Sequence, residues 1–347
     1  MSSAVKKAGV GAVLVCGGLL VYYVAFSLHK STYLVPTTDV VNTVSECFCP
    51  QTQCVDPSRN VSDVTPLASL QDTEAGETCN CDGTAQRFPQ AIIIGVRKGG
   101  TRALIDMLGI HPNIATARGE IHYFDRDENF SKGVQWYIER MPHTTPGQIT
   151  VEKSPSYFIA ADVPMRLSMV SRNVKILLIV RDPIERAISD FAQLDSRKQK
   201  KDSSRHTFEE LTFHSNGEEV NEDYSPIMVS TYDVHYKRWL KHFDQRQIHI
   251  VNGDALIRNP FPELQNVETY LGLDSFYRQD MFFFNEEKGF YCWKKRCKKG
   301  VETPFCLGSG KGREHPVISE SAHDKLKAFF KPHNEAFYTL TGQNFGW

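Results

Sequence analysis

Apolar and polar positions divide the chain into three stretches of different character. Residues 9–28, "GVGAVLVCGGLLVYYVAFSL", contain no charged side chain, and a run of that length is enough for about one bilayer crossing. Residues 29–87 show no sustained period and are rich in Thr, Ser, Asp and Pro. Such a stretch cannot bury enough apolar surface to offset the entropy of ordering it. From Phe88 onward the pattern becomes that of a folded domain. "AIIIGV" at residues 91–96 reads as a buried strand, and "TRALIDMLGIHP" at residues 101–112 reads as a helix that stops before Pro112. "KILLIVRDPIERAISDF", from Lys175, repeats the motif as strand, turn at Asp182-Pro183 and helix, and "QIHIVNGDALI", from Gln247, gives a third strand and a turn. Apolar strands alternating with helices predict an α/β domain: a central parallel sheet covered on both faces, a three-layer sandwich. In such folds ligands sit beyond the carboxyl ends of the strands, where the glycine-bearing loops fall.

The flanks of the charge-free run orient it. Lys6 and Lys7 precede it, and only His29 and Lys30 follow closely. The positive-inside bias then leaves residues 1–8 as a cytoplasmic tail, 9–28 as an uncleaved signal-anchor, 29–87 as a luminal stem and 88–347 as a folded luminal domain. A cleaved signal peptide ending near Ala25 to Ser27 is the alternative, but the apolar run is longer than a typical signal core. The stem holds Cys47, Cys49, Cys54, Cys79 and Cys81. Beyond a membrane these read as disulfides rather than as a metal site. Sequons at Asn60 and Asn129 fit the same compartment as glycosylation sites.

Bulk composition adds little. Apolar content is 41%, charged content 23% and formal net charge −1, so overall charge names no partner and nothing calls for nucleic acid. An anionic ligand has to be recognised by local clusters. One is Gly95-Val-Arg-Lys98-Gly99-Gly100-Thr101, a P-loop-like turn whose lysine lies inside the loop instead of directly before the hydroxyl residue. Gly99 and Gly100 let backbone N–H groups curl around an anion, and the following helix dipole reinforces them. "ILLIVRDP" presents arginine where a nucleotide hydrolase wants a magnesium-binding acid, which argues against metal-dependent phosphoryl transfer. A second loop supplies Arg181, with Ser189 eight residues on along the next helix; a guanidinium and a hydroxyl suit a second, separate phosphate. Anionic groups at both ends of one nucleoside describe 3′-phosphoadenosine 5′-phosphosulfate.

Six motifs in this order, "GVRKGGTRAL", "EIHYFD", "VEKSPSYF", "RDPIERAISDF", "KGFYC" and "GKGREHP", resemble the heparan sulfate glucosamine 3-O-sulfotransferases over residues 88–347. The resemblance implies that Lys98, Gly99, Gly100, Thr101 and Arg102 cradle the 5′-phosphosulfate and that Arg181 and Ser189 hold the 3′-phosphate. Tyr291 with Lys311, Gly312, Arg313, Glu314 and His315 would close over the donor. Glu120 is implied as general base, since a sugar hydroxyl is a poor nucleophile until its proton is removed. Lys98 and His122 would counter charge on departing oxygens. If the stretch is extended, Glu120 and His122 share one side; no further His or Cys stands at zinc-ligand spacing, so no metal is expected. Acceptor contacts carry over to Arg102, Glu120, His122, Asp125, Arg126, Lys153, Ser154, Pro155, Ser156 and Gln193, and to Tyr224 and Ser225. Cys292 and Cys306 are implied as a disulfide.

Cys297 is extra to that pattern, and the loop "WKKRCKKGVETPF" is unusually basic, a field that would draw a polyanion. Arg118, two residues before Glu120, sits where family members differ and bears on which sulfated sequences enter. The expected protein is a Golgi single-pass type II membrane enzyme that sulfates the glucosamine 3-hydroxyl of heparan sulfate. The alternatives are a different glycan sulfotransferase, such as one acting at N-positions, or a catalytically silent heparan-sulfate-binding protein. Intact Lys98, Glu120, Arg181 and Ser189 argue against silence.

Overall fold

The computed structural model describes residues 83–198, 206–215, 217–296, 302–308 and 315–347. The tail, the charge-free run, almost all of the stem including Asn60, and Cys297, Lys298, Lys299 and Lys311 to Glu314 lie outside the described residues. Among the described residues no helix is long and apolar enough to cross a membrane.

Ten strands are described: β1 (Ala85–Gln86), β2 (Ala91–Gly95), β3 (Ile114–Thr116), β4 (His143–Thr144), β5 (Ile149–Lys153), β6 (Lys175–Val180), β7 (Ile248–Asn252), β8 (Phe282–Asn285), β9 (Phe290–Arg296) and β10 (Glu302–Phe305). The helices are α1 (Thr101–Leu108), α2 (Asp127–Phe130), α3 (Gly133–Ile138), α4 (Val163–Val170), α5 (Pro183–Lys198), α6 (Phe208–Thr212), α7 (Ser225–Ser230), α8 (Tyr232–Trp239), α9 (Gly253–Arg258), α10 (Pro260–Leu271) and α11 (Glu320–Thr341). The central sheet is parallel, in the order β3-β5-β2-β6-β7. β8, β9 and β10 form a separate antiparallel sheet, and β1 pairs with β4.

Side-chain alternation on the two central strands explains the layering. Ile92 and Ile94 of β2, with Ile176, Leu178 and Val180 of β6, enter one core with Leu167 of α4, Tyr236 and Trp239 of α8, and Phe337 of α11. Ala91 and Ile93, with Leu177 and Ile179, enter the other with Leu104 and Leu108 of α1 and Leu264 and Val267 of α10. Successive strand residues point to opposite faces, so an unbroken apolar run is what a doubly covered strand requires. Each such fully buried aliphatic side chain stabilises the fold by about 1.5–3 kcal/mol relative to exposure. The expected strand–turn–helix at Asp182-Pro183 is present, with Pro183 opening α5. The segment after β7 is not a simple turn: Asn252 caps α9 through its side chain, which accepts from the Ala255 N–H at 2.9 Å.

β2 lies at the centre, with β5 then β3 on one side and β6 then β7 on the other. The chain therefore changes direction at β2, the switch point where open α/β sheets bind ligands. Five segments gather at that carboxyl edge: residues 96–100, 117–126, 154–156, 181–182 and the start of α9.

Candidate active site

The first loop is shaped by close backbone approach. A Cβ on Gly99 would lie 2.6 Å from the Ile179 carbonyl oxygen, and one on Gly253 would lie 2.5 Å from the Gly99 oxygen and 2.7 Å from that of Val180. Only glycine fits where loop, β6 and α9 touch. Lys98 and Gly100 have φ values of 70° and 112°, so the loop coils tightly before α1. That helix has neither a side-chain cap nor an acidic residue in its first turn. Its first N–H groups have no intrahelical acceptors and carry the positive end of the dipole, an anion site by construction.

A buried ion cluster holds the loop from behind, and sequence reading missed it. Arg186, fully buried on α5, donates to Ser230 Oγ at 2.7 Å, to the Arg97 carbonyl at 3.1 Å, to Asp190 Oδ2 at 3.0 Å and to the Pro226 carbonyl. Asp190 also accepts from Arg97. Buried charge is tolerated only when paired and hydrogen-bonded. The one signal available beforehand was the i, i+4 spacing of Arg186 and Asp190 in "ERAISD".

Residues 117–126 carry the candidate base. They are not extended as expected, because β3 ends at Thr116 and His122 adopts a left-handed φ of 53°. Glu120 and His122 still meet, through a turn instead of strand alternation, with His122 Nε2 3.5 Å from Glu120 Oε2. The turn is pinned at several points. The His122 N–H donates to Ser154 Oγ at 3.1 Å, and Ser154 Oγ donates to Glu152 Oε1 at 2.6 Å. The His122 ring faces Asp125 Oδ2 at 2.9 Å, and that oxygen accepts from Ser156 Oγ at 2.5 Å. The Lys153 ammonium donates to Glu120 Oε1 at 2.5 Å. Glu152 is fully buried and receives the Ile121 N–H and the Ser154 and Tyr137 hydroxyls; burial nevertheless pushes its carboxyl up to about 7. It was not foreseen as a support of this turn.

Asn129 also belongs to this support. Its amide is buried and donates to the Ile121 and His122 carbonyls at 3.2 and 3.0 Å, while its oxygen accepts from Lys132 Nζ at 3.1 Å. Its amide nitrogen is thus engaged by two carbonyls of the turn, and glycosylation at Asn129 stands as an expectation from the sequon. The amide is a strut of the site.

The second loop places Arg181 just past β6. Its Nε is buried without a hydrogen bond and lies 3.5 Å from Asp254 Oδ1, while Nη2 lies 3.8 Å from Glu185 Oε2. His315 Nδ1 is 3.8 Å from the same Glu185 oxygen. Burial depresses the His315 pKa, the Arg181 and Lys98 charges depress it further, and Glu185 opposes them. The charges of Lys98 and Arg181 thus both reach His315, which lies in the segment before α11. Ser189 is buried on α5. Tyr291 is half-buried on β9, its ring 5.5 Å from Phe284. The disulfide Cys292–Cys306 ties β9 to the residue after β10.

Arg102, Asp106, Arg118, Gly119 and Lys153 line one cleft of about 230 Å³, which joins the start of α1 to the turn carrying Glu120. Arg126 is exposed at the start of α2, and Pro155 packs its carbonyl against Gly95. Gln193 lies one turn beyond Ser189 on α5, while Tyr224 and Ser225 open α7. Burial, then the Asp190 and Asp195 charges, push the Tyr224 phenol up to about 12. Among the described residues no group of His, Cys, Asp and Glu is arranged to hold a metal ion. A larger cavity of about 550 Å³ sits at the opposite edge of the sheet, by the start of β7, away from these groups.

Residues 88–343 match the family model described as a sulfotransferase domain. The chain is 47% identical over 262 residues to mouse heparan sulfate glucosamine 3-O-sulfotransferase 5, covering 76% of this chain and 75% of that one. It is 43% identical over 267 residues to human heparan sulfate glucosamine 3-O-sulfotransferase 3A1, covering 77% and 64%. A sulfotransferase from Alicyclobacillus acidocaldarius superposes with a TM-score of 0.54 at 19% identity, over 74% of this chain and 97% of that one, and shares the fold. With two cationic loops at the switch point and a carboxylate beside them, this chain belongs to the sulfotransferase family and, within it, to the heparan sulfate glucosamine 3-O-sulfotransferases.

Proposed function

We propose that the enzyme transfers the sulfuryl group of 3′-phosphoadenosine 5′-phosphosulfate to the 3-hydroxyl of glucosamine in heparan sulfate, with Glu120 as general base. The carrying observation is the shared cleft: Lys153, which bonds Glu120, and Gly119, which precedes it in sequence, line it together with Arg102 of the anion-binding helix. The donor set fits a nucleotide with anions at both ends, because the glycine cradle and uncapped α1 form one cationic pole and Arg181 the other, with the His315 ring reaching the same Glu185 oxygen as Arg181. When bound, the donor supplies an activated sulfuryl group whose bond to the 5′-phosphate oxygen breaks as the sugar oxygen attacks.

The chain's own groups divide the remaining work. Lys153 occupies Glu120 Oε1, which leaves Oε2 to take the proton of an attacking hydroxyl. Asp125 and Ser156 orient the His122 ring, whose far nitrogen stands beside that oxygen. Lys98 offers its charge where negative charge builds on the departing oxygen. Arg102, Arg118 and Lys153 bring three cations to the cleft against Asp106 and Glu120, a net positive lining suited to a sulfated, carboxylated glycan, and Lys294 and Lys295 extend basic character along β9.

The charge-free run behind Lys6 and Lys7 supports a single-pass type II anchor in the Golgi membrane, with the catalytic domain luminal. The Cys292–Cys306 bridge suits that oxidising compartment. Incubation with donor and heparan sulfate, followed by disaccharide mapping, should yield 3-O-sulfated glucosamine; N-sulfated product alone, or none, would overturn the reading. Glu120→Gln should lower turnover by roughly 10²–10⁴ with little change in affinity for adenosine 3′,5′-bisphosphate. Near-normal turnover in that variant would remove Glu120 from the role.

A further inference from the structure

The described chain closes on an aromatic segment that the mechanism above does not use. Phe345 and Trp347 stack at 4.7 Å between ring centroids, and Trp347 also meets Tyr232 at 5.7 Å and Phe337 at 6.4 Å. The Trp347 N–H donates to the Tyr338 hydroxyl at 2.9 Å. These contacts fix the indole, and its Nε1 donates to Asp254 Oδ2 at 3.1 Å.

Asp254 is the second residue of α9 and stands between three elements. Its Oδ2 also accepts the Asp182 N–H at 2.7 Å. Two donors therefore hold one oxygen, which turns the other, Oδ1, toward Arg181 Nε at 3.5 Å. The Tyr232 hydroxyl, against the same indole, holds the Arg181 carbonyl at 2.9 Å. The guanidinium thus meets a carboxylate along its Nε edge, while at its terminal end Glu185 stands 3.8 Å from Nη2, too far for a hydrogen bond that a ligand would have to displace.

We propose that Trp347 and Asp254 are positioning residues that aim Arg181 at the donor's 3′-phosphate, so that the aromatic segment after α11 sets selectivity for 3′-phosphorylated nucleotides. The inference rests on the reading of Arg181 as the 3′-phosphate ligand. A guanidinium binds phosphate best as a fixed planar fork. A carboxylate beside it can either anchor its rear edge or rotate to occupy the fork and compete with the phosphate. Trp347 and the Asp182 N–H together select the first arrangement. Supporting groups of this kind hold a binding constellation within the narrow tolerance that recognition demands.

The test measures selectivity in the full chain, by calorimetric titration with adenosine 3′,5′-bisphosphate and with adenosine 5′-phosphate. Trp347→Phe keeps one aromatic ring in the stack while removing the N–H donor along with the second ring. Loss of that bond should weaken binding of the bisphosphate about tenfold and leave the monophosphate unchanged. Asp254→Asn serves as the second variant: its oxygen can keep both donors, but its amide then faces Arg181 Nε donor to donor, and the preference should again fall. Arg181→Met is the control and should abolish the preference. If Arg181→Met leaves the preference intact, the reading of Arg181 itself is wrong. If Arg181→Met abolishes it while both other variants retain the full preference, the positioning role is wrong. An equal loss for both nucleotides would likewise overturn it, because that is the signature of a merely structural segment.

Discussion

Gly253→Ala isolates the geometry of the donor loop with one methyl group. Gly253 opens α9 with a backbone that any residue adopts, so alanine adds no strain of φ and acts only through its Cβ. That atom would lie 2.5 Å from the Gly99 oxygen and 2.7 Å from the Val180 oxygen, whereas ordinary contact begins at 3.4 Å. Relief requires displacements of 3.4 − 2.5 = 0.9 Å at Gly99 and 3.4 − 2.7 = 0.7 Å at Val180. Val180 is locked in the parallel ladder opposite Asn252, so the loop yields first. A shift near 1 Å in a positioning element can cost about 10²-fold in rate, and overpacking typically destabilises by about 1–3 kcal/mol. Affinity for adenosine 3′,5′-bisphosphate and turnover should both fall, with a melting temperature lowered by several degrees. Gly109→Ala is the matched control at the other end of α1, since its Cβ would meet only the Thr116 side chain at 3.3 and 3.4 Å and the Ile105 oxygen at 3.5 Å. It should bind the nucleotide normally. Wild-type affinity in Gly253→Ala would refute the claim that loop, β6 and α9 form one rigid cradle.

Two further outcomes follow from the same structure. Burial raises the Glu152 carboxyl from the ordinary 4.5 to about 7, against the opposing influence of its Ser154, Ile121 and Tyr137 hydrogen bonds and of Lys153. The folded state thus binds its proton more tightly than the unfolded state, so this contribution is fully present below about 4.5, is lost as pH rises to about 7 and is flat above. Denaturant titrations across that range should show a shallower pH slope in Glu152→Gln; an identical slope would assign the dependence to other groups. Opening the Cys292–Cys306 bridge, whose ends are 14 positions apart in sequence, should destabilise the β9–β10 pair by about 3 kcal/mol. Hydrogen exchange confined to β8, β9 and β10 would report it, and unchanged protection in Cys292→Ser/Cys306→Ser would contradict it.

The sheet was legible because its strands are buried on both faces, and a run such as "KILLIV" has few other readings. The two anion loops were legible for a related reason: glycine beside lysine, and arginine directly after an apolar strand, are local patterns imposed by local chemistry. Spacing misled at His122. "E-x-H" suggests strand alternation, yet the two side chains meet because Ser154 and Asn129 hold a left-handed turn. No pattern within residues 117–126 encodes that, since Ser154 lies 32 positions from its partner in sequence. Asn129 shows the same limit from the other direction. Its sequon is a three-residue pattern, whereas its part in holding the turn depends on carbonyls seven and eight positions away.

The residues that could not be read share one property: they act on a site residue from a distance in sequence. Asp190 reaches back 93 positions to Arg97, and Trp347 reaches back 93 positions to Asp254. Both are aimed at the supports of a cationic loop rather than at a ligand. This division has a physical basis. A group that touches phosphate or a sugar hydroxyl must be of one chemical type, so its identity advertises its role. A group that fixes the position of such a residue needs only a donor, an acceptor or a surface in the right place, and many sequences can supply one. Arg181 is recognisable alone, but the direction of its fork depends on an indole and a carboxylate that become meaningful only after β6, α9 and α11 have packed together.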